Sequence, residues 1–134
     1  MKVKCRVYYE DTDAGGIVYY ANYLKYYERA RTEFLRALGV NQSDYLQKTG
    51  CGFVVAHADI RYHRPAKLDD ELLIESHVVN PRKVALTFEQ SIEVVRADQG
   101  TFQCNSAQVK IAHIHLDSGK PMPIPQQLME KLIP

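Results

Sequence analysis

The sequence predicts an α+β domain in which one long helix packs on one antiparallel β-sheet. Three observations carry that expectation. Polar and apolar residues alternate from Lys2 to Tyr9; between Tyr20 and Leu38 the apolar spacing changes to three and four; and from Gly52 to Leu116 the chain is β-rich and punctuated by turn residues. A chain of 134 residues has the length of one domain, here 1–134, and can bury roughly two-thirds of its unfolded surface.

The first strand places Val3, Cys5, Val7 and Tyr9 on one face and Lys2, Lys4, Arg6 and Tyr8 on the other. Glu10 to Gly16 is polar and ends in two glycines, a composition that cannot continue a strand. Tyr20, Tyr23, Leu24, Tyr27, Ala30, Arg31, Phe34, Leu35 and Leu38 then form one mostly apolar stripe along a helix of about five turns, with Gly39 placed for a left-handed C-terminal cap. Arg29, Glu33 and Arg36 mark its solvated side. A short second helix is expected from Ser43, acting as its cap, to Gly50. Strands follow at Gly52 to Tyr62, Glu71 to Asn80, Lys83 to Ala97 and Thr101 to Leu116, the last two joined as an antiparallel hairpin across Asp98-Gln99-Gly100. Pro125 to Ile133 has room for a terminal helical turn or two. One helix covers only one sheet face, and apolar runs such as Phe53-Val54-Val55-Ala56 and Val78-Val79 invite self-association.

Composition narrows the function. Hydrophobic residues make up 46% and charged residues 25%, with a net charge of +1 and no Lys/Arg block, so nucleic acid is not expected as a partner. No apolar run approaches the ~20 residues of a membrane span, and Met1-Lys2-Val3-Lys4-Cys5-Arg6 has no signal-like core, which points to the cytoplasm. Cys5, Cys51 and Cys104 form no CxxC pair and read as reduced thiols in strands.

The chemistry concentrates between Tyr8 and Tyr27, which hold seven of the nine tyrosines. If the helix starts just after the glycines, the amides of Gly16 and Ile17 point outward where a developing oxyanion could be held. Asp13, three residues earlier, could then attack a carbonyl or activate water, although Asp is equally suited to a simple helix cap. Tyr20, about one turn further on, could reach a group bound there. Asp11 to Gly16 looks superficially like a calcium loop, but Gly15 and Asn22 stand where the fifth and twelfth ligands belong. His57, His63, His77, His113 and His115 show no HExxH, the serines lie in no GxSxG, and no P-loop or GxGxxG occurs, so no metal and no cofactor are assigned. Arg82 and Lys83, after Pro81, could grip a phosphate or simply form a solvated turn; Arg64, Lys67 and Lys120 are weaker candidates of that kind.

The run Val7-Tyr8-Tyr9-Glu10-Asp11-Thr12-Asp13-Ala14-Gly15-Gly16-Ile17-Val18-Tyr19-Tyr20-Ala21-Asn22-Tyr23, followed by Tyr26-Tyr27-Glu28-Arg29-Ala30-Arg31, resembles the 4-hydroxybenzoyl-CoA thioesterase family of hotdog-fold proteins. It is most similar to the Tol-Pal-associated acyl-CoA thioesterase branch, and the similarity extends through Tyr62-His63-Arg64-Pro65-Ala66-Lys67-Leu68-Asp69-Asp70. The resemblance implies a hotdog fold, a long central helix wrapped by a curved antiparallel sheet, in homodimers made by joining two sheets and often in homotetramers. It implies hydrolysis of an acyl-CoA thioester without metal or cofactor. By position, Asp13 matches the catalytic carboxylate, Gly16 and Ile17 match the helix start that polarises the carbonyl, and Tyr20 stands where the benzoyl-CoA enzymes have a tyrosine. The Tol-Pal branch often has histidine at that place. Tyr9, Arg82 and Lys83 are assigned to substrate binding. The competing reading is a non-catalytic module that binds an acyl chain or acyl carrier protein.

Overall fold

The computed structural model describes residues 1–133. Five strands, β1 (Lys2–Arg6), β2 (Cys51–Tyr62), β3 (Glu71–Val79), β4 (Ala85–Arg96) and β5 (Gly100–His115), form one sheet in the order β1-β3-β4-β5-β2, with every neighbouring pair antiparallel. The helices are α1 (Tyr23–Ala37), α2 (Gln42–Thr49) and α3 (Gln126–Leu132). The strand and helix order is the one expected, with β4 and β5 paired as a hairpin closing at Arg96 and Gly100. β1 and β2 are left as the sheet's edges.

α1 lies on the sheet through Tyr23, Tyr26, Tyr27, Ala30 and Leu35, which join Leu72, Ile74, Phe88, Ile92 and Val94 from the strands in the core. The Phe34 and Phe88 rings meet edge to face at 5.2 Å, a contact worth about 1 kcal/mol beyond its buried area. The stripe is rotated slightly from the expected one. Leu24 is exposed and Tyr26 fully buried, because the segment from Cys5 to Asp11 covers that flank of the helix. The helix ends as expected: Gly39 takes φ +87° and the Val40 amide returns to Leu35 O at 2.9 Å.

Two boundaries differ from the sequence reading for local reasons. Asn41, not Ser43, caps α2, its Oδ1 accepting from the Asp44 amide at 3.2 Å. β1 stops at Arg6 because the Asp11 carboxylate captures the Tyr8 amide at 2.8 Å and winds Tyr9–Asp11 into a 3₁₀ turn. A third difference bears on the site. Helical structure begins with a 3₁₀ turn at Tyr20–Asn22 and α1 proper starts at Tyr23, so Gly16 and Ile17 do not head the helix.

The candidate active site at Asp13

Asp13 opens a tight turn inside a short hairpin. Thr12 pairs with Val18 through Asp13 N to Ile17 O and Tyr19 N to Asp11 O, both at 2.9 Å. Across the turn the Gly16 amide donates to Asp13 O at 3.1 Å, and Gly16 adopts φ +80°, a conformation that favours glycine. Asp13 Oδ1 accepts from the Gly15 amide at 2.8 Å, so its carboxylate is aimed by its own loop. A Cβ on Gly15 would stand 3.2 Å from that oxygen, a tight contact that the carboxylate would have to shift to relieve. The alternative of Asp13 as a helix cap is excluded, since α1 is preceded by Asn22 and lies ten residues away.

The loop is fastened to the far end of β2 and the start of β3. Val18 N donates to Ala66 O at 2.9 Å and Leu68 N to Gly16 O at 3.3 Å. The Ala66 amide in turn donates to the Tyr23 hydroxyl at 3.1 Å, and burial pushes that phenol up to about 12. Asp70 then anchors the segment: Arg96 forks onto its carboxylate at 2.9 and 2.8 Å, and the Lys67 amide adds a third bond at 2.7 Å. Burial works to raise the pKa of Asp70, but these donors outweigh it and hold the carboxyl below its usual range.

These ties enclose a cavity of about 350 Å³. Asp13, Ile17, Tyr19 and Tyr20 form one side, and Tyr62, His63, Arg64 and Pro65 the other, with Cys104 at the base. The Tyr62 hydroxyl donates to Tyr20 O at 2.9 Å across the cavity. Burial pushes the Cys104 thiol up to about 12, so it serves as an apolar surface and not as a nucleophile. The Ile17 and Tyr20 amides meet no acceptor among the described residues, whereas the Gly16 amide is taken by its own turn. Of the expected Gly16 and Ile17 amides, then, Gly16 spends its N–H on Asp13 O, Ile17 has no acceptor among the described residues, and Tyr20 is the first residue of the helical turn in the same position.

The remaining candidates lie elsewhere. Tyr9 is 82% exposed and does not border the cavity. Arg82 and Lys83 follow β3 and line a separate cavity of about 320 Å³. The Asp13 loop adjoins the residues that precede β3, so within one chain the two lie at opposite ends of a nine-residue strand, roughly 30 Å apart. His113 is a satisfied core histidine: its ring nitrogens meet the Tyr45 hydroxyl at 2.7 Å and Met122 O at 2.8 Å. Reasoning from sequence spacing missed Asp11 as a buried clamp and Tyr62 and His63 as the opposite wall. Asp11 shares its loop with a more conspicuous acid, and although Tyr62 and His63 lie in a segment that matches the family, no spacing assigns them a role; they share a cavity with Asp13 only through long-range packing.

Residues 7–132 match the family described as the Thioesterase-like superfamily. The chain belongs to the thioesterase-like superfamily. Among its relatives, the acyl-CoA thioesterase YbgC of Haemophilus influenzae is 43% identical over 92% of this chain and 87% of its own length. A probable thioesterase from Bartonella henselae superposes with a TM-score of 0.83 at 34% identity, over 93% of this chain and 98% of the other. The 4-hydroxybenzoyl-CoA thioesterase from Pseudomonas sp. strain CBS-3 superposes with a TM-score of 0.92, over 98% of this chain and 97% of the other, at 18% identity, a likeness of fold. This member of the thioesterase-like superfamily therefore has the hotdog fold, with α1 as the helix that the sheet wraps.

Proposed function

We propose that this protein hydrolyses an acyl-CoA thioester to the free acid and CoA, with Asp13 as the catalytic carboxylate. The observation that carries the reading is the placement of Asp13, oriented by the Gly15 amide, on the wall of a tyrosine-lined cavity beside unpaired backbone N–H groups. Relatives named acyl-CoA thioesterase support the reaction class.

The thioester carbonyl lies over the Ile17 and Tyr20 amides, which hold the oxygen as it gains charge. In one route Asp13 takes a proton from water while the hydroxide adds to the carbonyl carbon; in the other Asp13 Oδ adds directly and water cleaves the resulting anhydride. In both, the C–S bond breaks as the tetrahedral species collapses, and the departing thiolate takes up a proton. Tyr20, Tyr23 and Tyr62 make an aromatic surface for the acyl part. Arg82 and Lys83 bind the nucleotide phosphates. Their distance from Asp13 within one chain fits a substrate that spans two copies, joined along the unpaired β2 edge where Val55 is 51% exposed.

Replacing Asp13 with Asn keeps the shape and removes the base. Thiol release from a panel of short, long and aromatic acyl-CoAs should fall by roughly 10²–10⁴-fold in kcat with the fold intact by circular dichroism. Turnover equal to wild type would remove the assignment; no thiol release by the wild type, together with retention of acyl carrier protein on the immobilised chain, would favour the non-catalytic binding module.

A further inference from the structure

Among the described residues, two buried side-chain polar atoms have no hydrogen-bond partner, the Tyr26 hydroxyl and Asn105 Nδ2. The Tyr26 hydroxyl faces the Asp11 carboxylate. Asn105 is 0% exposed, and its amino group has no acceptor at all. Tyr27 fixes which way the amide lies. Burial pushes the Tyr27 phenol far up, so it keeps its proton and donates it to Asn105 Oδ1 at 2.7 Å. With the oxygen turned toward α1, the amino group is turned away from it. Its cross-strand neighbours do not take it up: Ile92 on β4 is apolar, and the Tyr62 hydroxyl on β2 is committed to Tyr20 O.

Asn105 stands behind the Asp13 cavity. β5 bulges at this point, with Ile92 paired to Asn105 and Glu93 to Gln103, so Cys104 is the extra residue and both it and Asn105 are buried. Cys104 forms the base of the cavity. The charges that act on the Tyr27 hydroxyl belong to Cys104, Tyr23 and Tyr62, and all three line that cavity. Tyr62 pairs directly with Asn105 and so shares its face of the sheet; it is 53% exposed, and one hydrogen bond to Tyr20 O tethers its hydroxyl. Turning that ring aside joins the Asn105 amide to the cavity. A second copy joined along β2 does not reach Asn105, which lies on an interior strand and has no exposed surface. Resting on the reading of Asp13 as a thioesterase carboxylate, we propose that the acyl site extends past Tyr62 to Asn105, whose Nδ2 donates to a neutral oxygen on the acyl chain, so that oxoacyl thioesters are preferred to plain alkanoyl ones. The amino group only donates, which matches a carbonyl oxygen. A carboxylate would carry a charge into a place bounded by phenols, a thiol and an isoleucine.

The test follows thiol release by the whole protein from hexanoyl-CoA, 4-oxohexanoyl-CoA and 5-oxohexanoyl-CoA, whose acyl chains are short enough for a cavity of about 350 Å³. Wild type should favour one of the two oxo esters over hexanoyl-CoA by about tenfold or more in kcat/KM. In Asn105→Leu, close in size and without a donor, that ratio should fall to about one, and a ratio taken within one preparation does not depend on how much of it is folded. The double variant Tyr27→Phe/Asn105→Leu also removes the phenol that the single variant strands, so it keeps the test available where Asn105→Leu fails to fold, and it should show the same loss. Equal kcat/KM for the three esters in wild type, a preference that survives in the Leu variants, or no turnover of these three by an enzyme that hydrolyses other acyl-CoAs would overturn the inference and leave the thioesterase reading standing. No thiol release from any acyl-CoA would overturn both.

Discussion

Asn22 Nδ2 donates to Asp11 Oδ1 at 2.9 Å, tying the loop that carries Asp13 to the residue before α1. Both residues are buried, and the second Asp11 oxygen holds the Tyr8 amide at 2.8 Å. Burial alone would raise the pKa of Asp11. The Tyr8 amide, the Tyr26 hydroxyl facing it, Asn22 and the more distant Arg29 charge reverse that and hold the carboxyl below its usual value. The clamp fixes where the Asp13 turn sits relative to the first free helical amide, the geometry on which oxyanion stabilisation depends.

Asp11→Asn should therefore damage the site without touching the reacting atoms. It sets an amide N–H₂ against a donor at one of two occupied oxygens, and the expected loss is about 1–3 kcal/mol of stability in urea unfolding. Thiol release should fall as well, through kcat more than KM. A variant with wild-type stability would show that the clamp contributes nothing.

Gly15→Ala separates positioning from folding. The new methyl stands 3.2 Å from Asp13 Oδ1 in an exposed loop, so stability should change by less than about 1 kcal/mol while the carboxylate is displaced. Steady-state kinetics should show a fall in kcat of about tenfold or more. Gly16→Ala, at φ +80°, should add a backbone penalty of about 1–2 kcal/mol visible in Tm.

Replacing Arg82 and Lys83 together with Ala should raise KM for acyl-CoA and leave kcat nearly unchanged, because phosphate contacts far from the carbonyl bind ground state and transition state alike. A truncated thioester without the nucleotide should be hydrolysed equally by wild type and variant. Unchanged KM for the full substrate would remove both residues from the binding site.

Acid should loosen the wall opposite Asp13. Asp70 has a folded-state pKa below the ordinary 3.8, so its contribution to stability is complete above that value and is lost as pH falls through the lower, folded one. Urea unfolding from pH 6 down to 2 should show wild-type stability declining below about pH 4, with part of the decline missing in Asp70→Asn. Parallel profiles for the two proteins would place the acid sensitivity elsewhere.

Much of this fold is legible in the sequence because its signals are local. Alternation sets β1, three-and-four spacing sets α1, and Gly39 and Gly50 stop the two helices at left-handed positions. What the sequence hides is what distant segments decide. Leu24 and Tyr26 trade places between surface and core because the segment from Cys5 to Asp11 covers one flank of α1. Gly16 and Ile17 read as a helix start on composition, yet the pairing of Thr12 with Val18 and of Ile17 with Lys67 makes them a hairpin arm. Asp13 stands out in its loop; the cavity around it does not, because Tyr62 and His63 arrive from about fifty residues away in sequence.

The crowding of aromatic rings around Asp13 has a practical corollary. The chain has nine tyrosines and no tryptophan, and Tyr19, Tyr20, Tyr23 and Tyr62 all border one cavity. Intrinsic ultraviolet emission is thus a label-free optical gauge weighted toward that single compartment, and quenching on adding a ligand would report its occupancy with no dye attached.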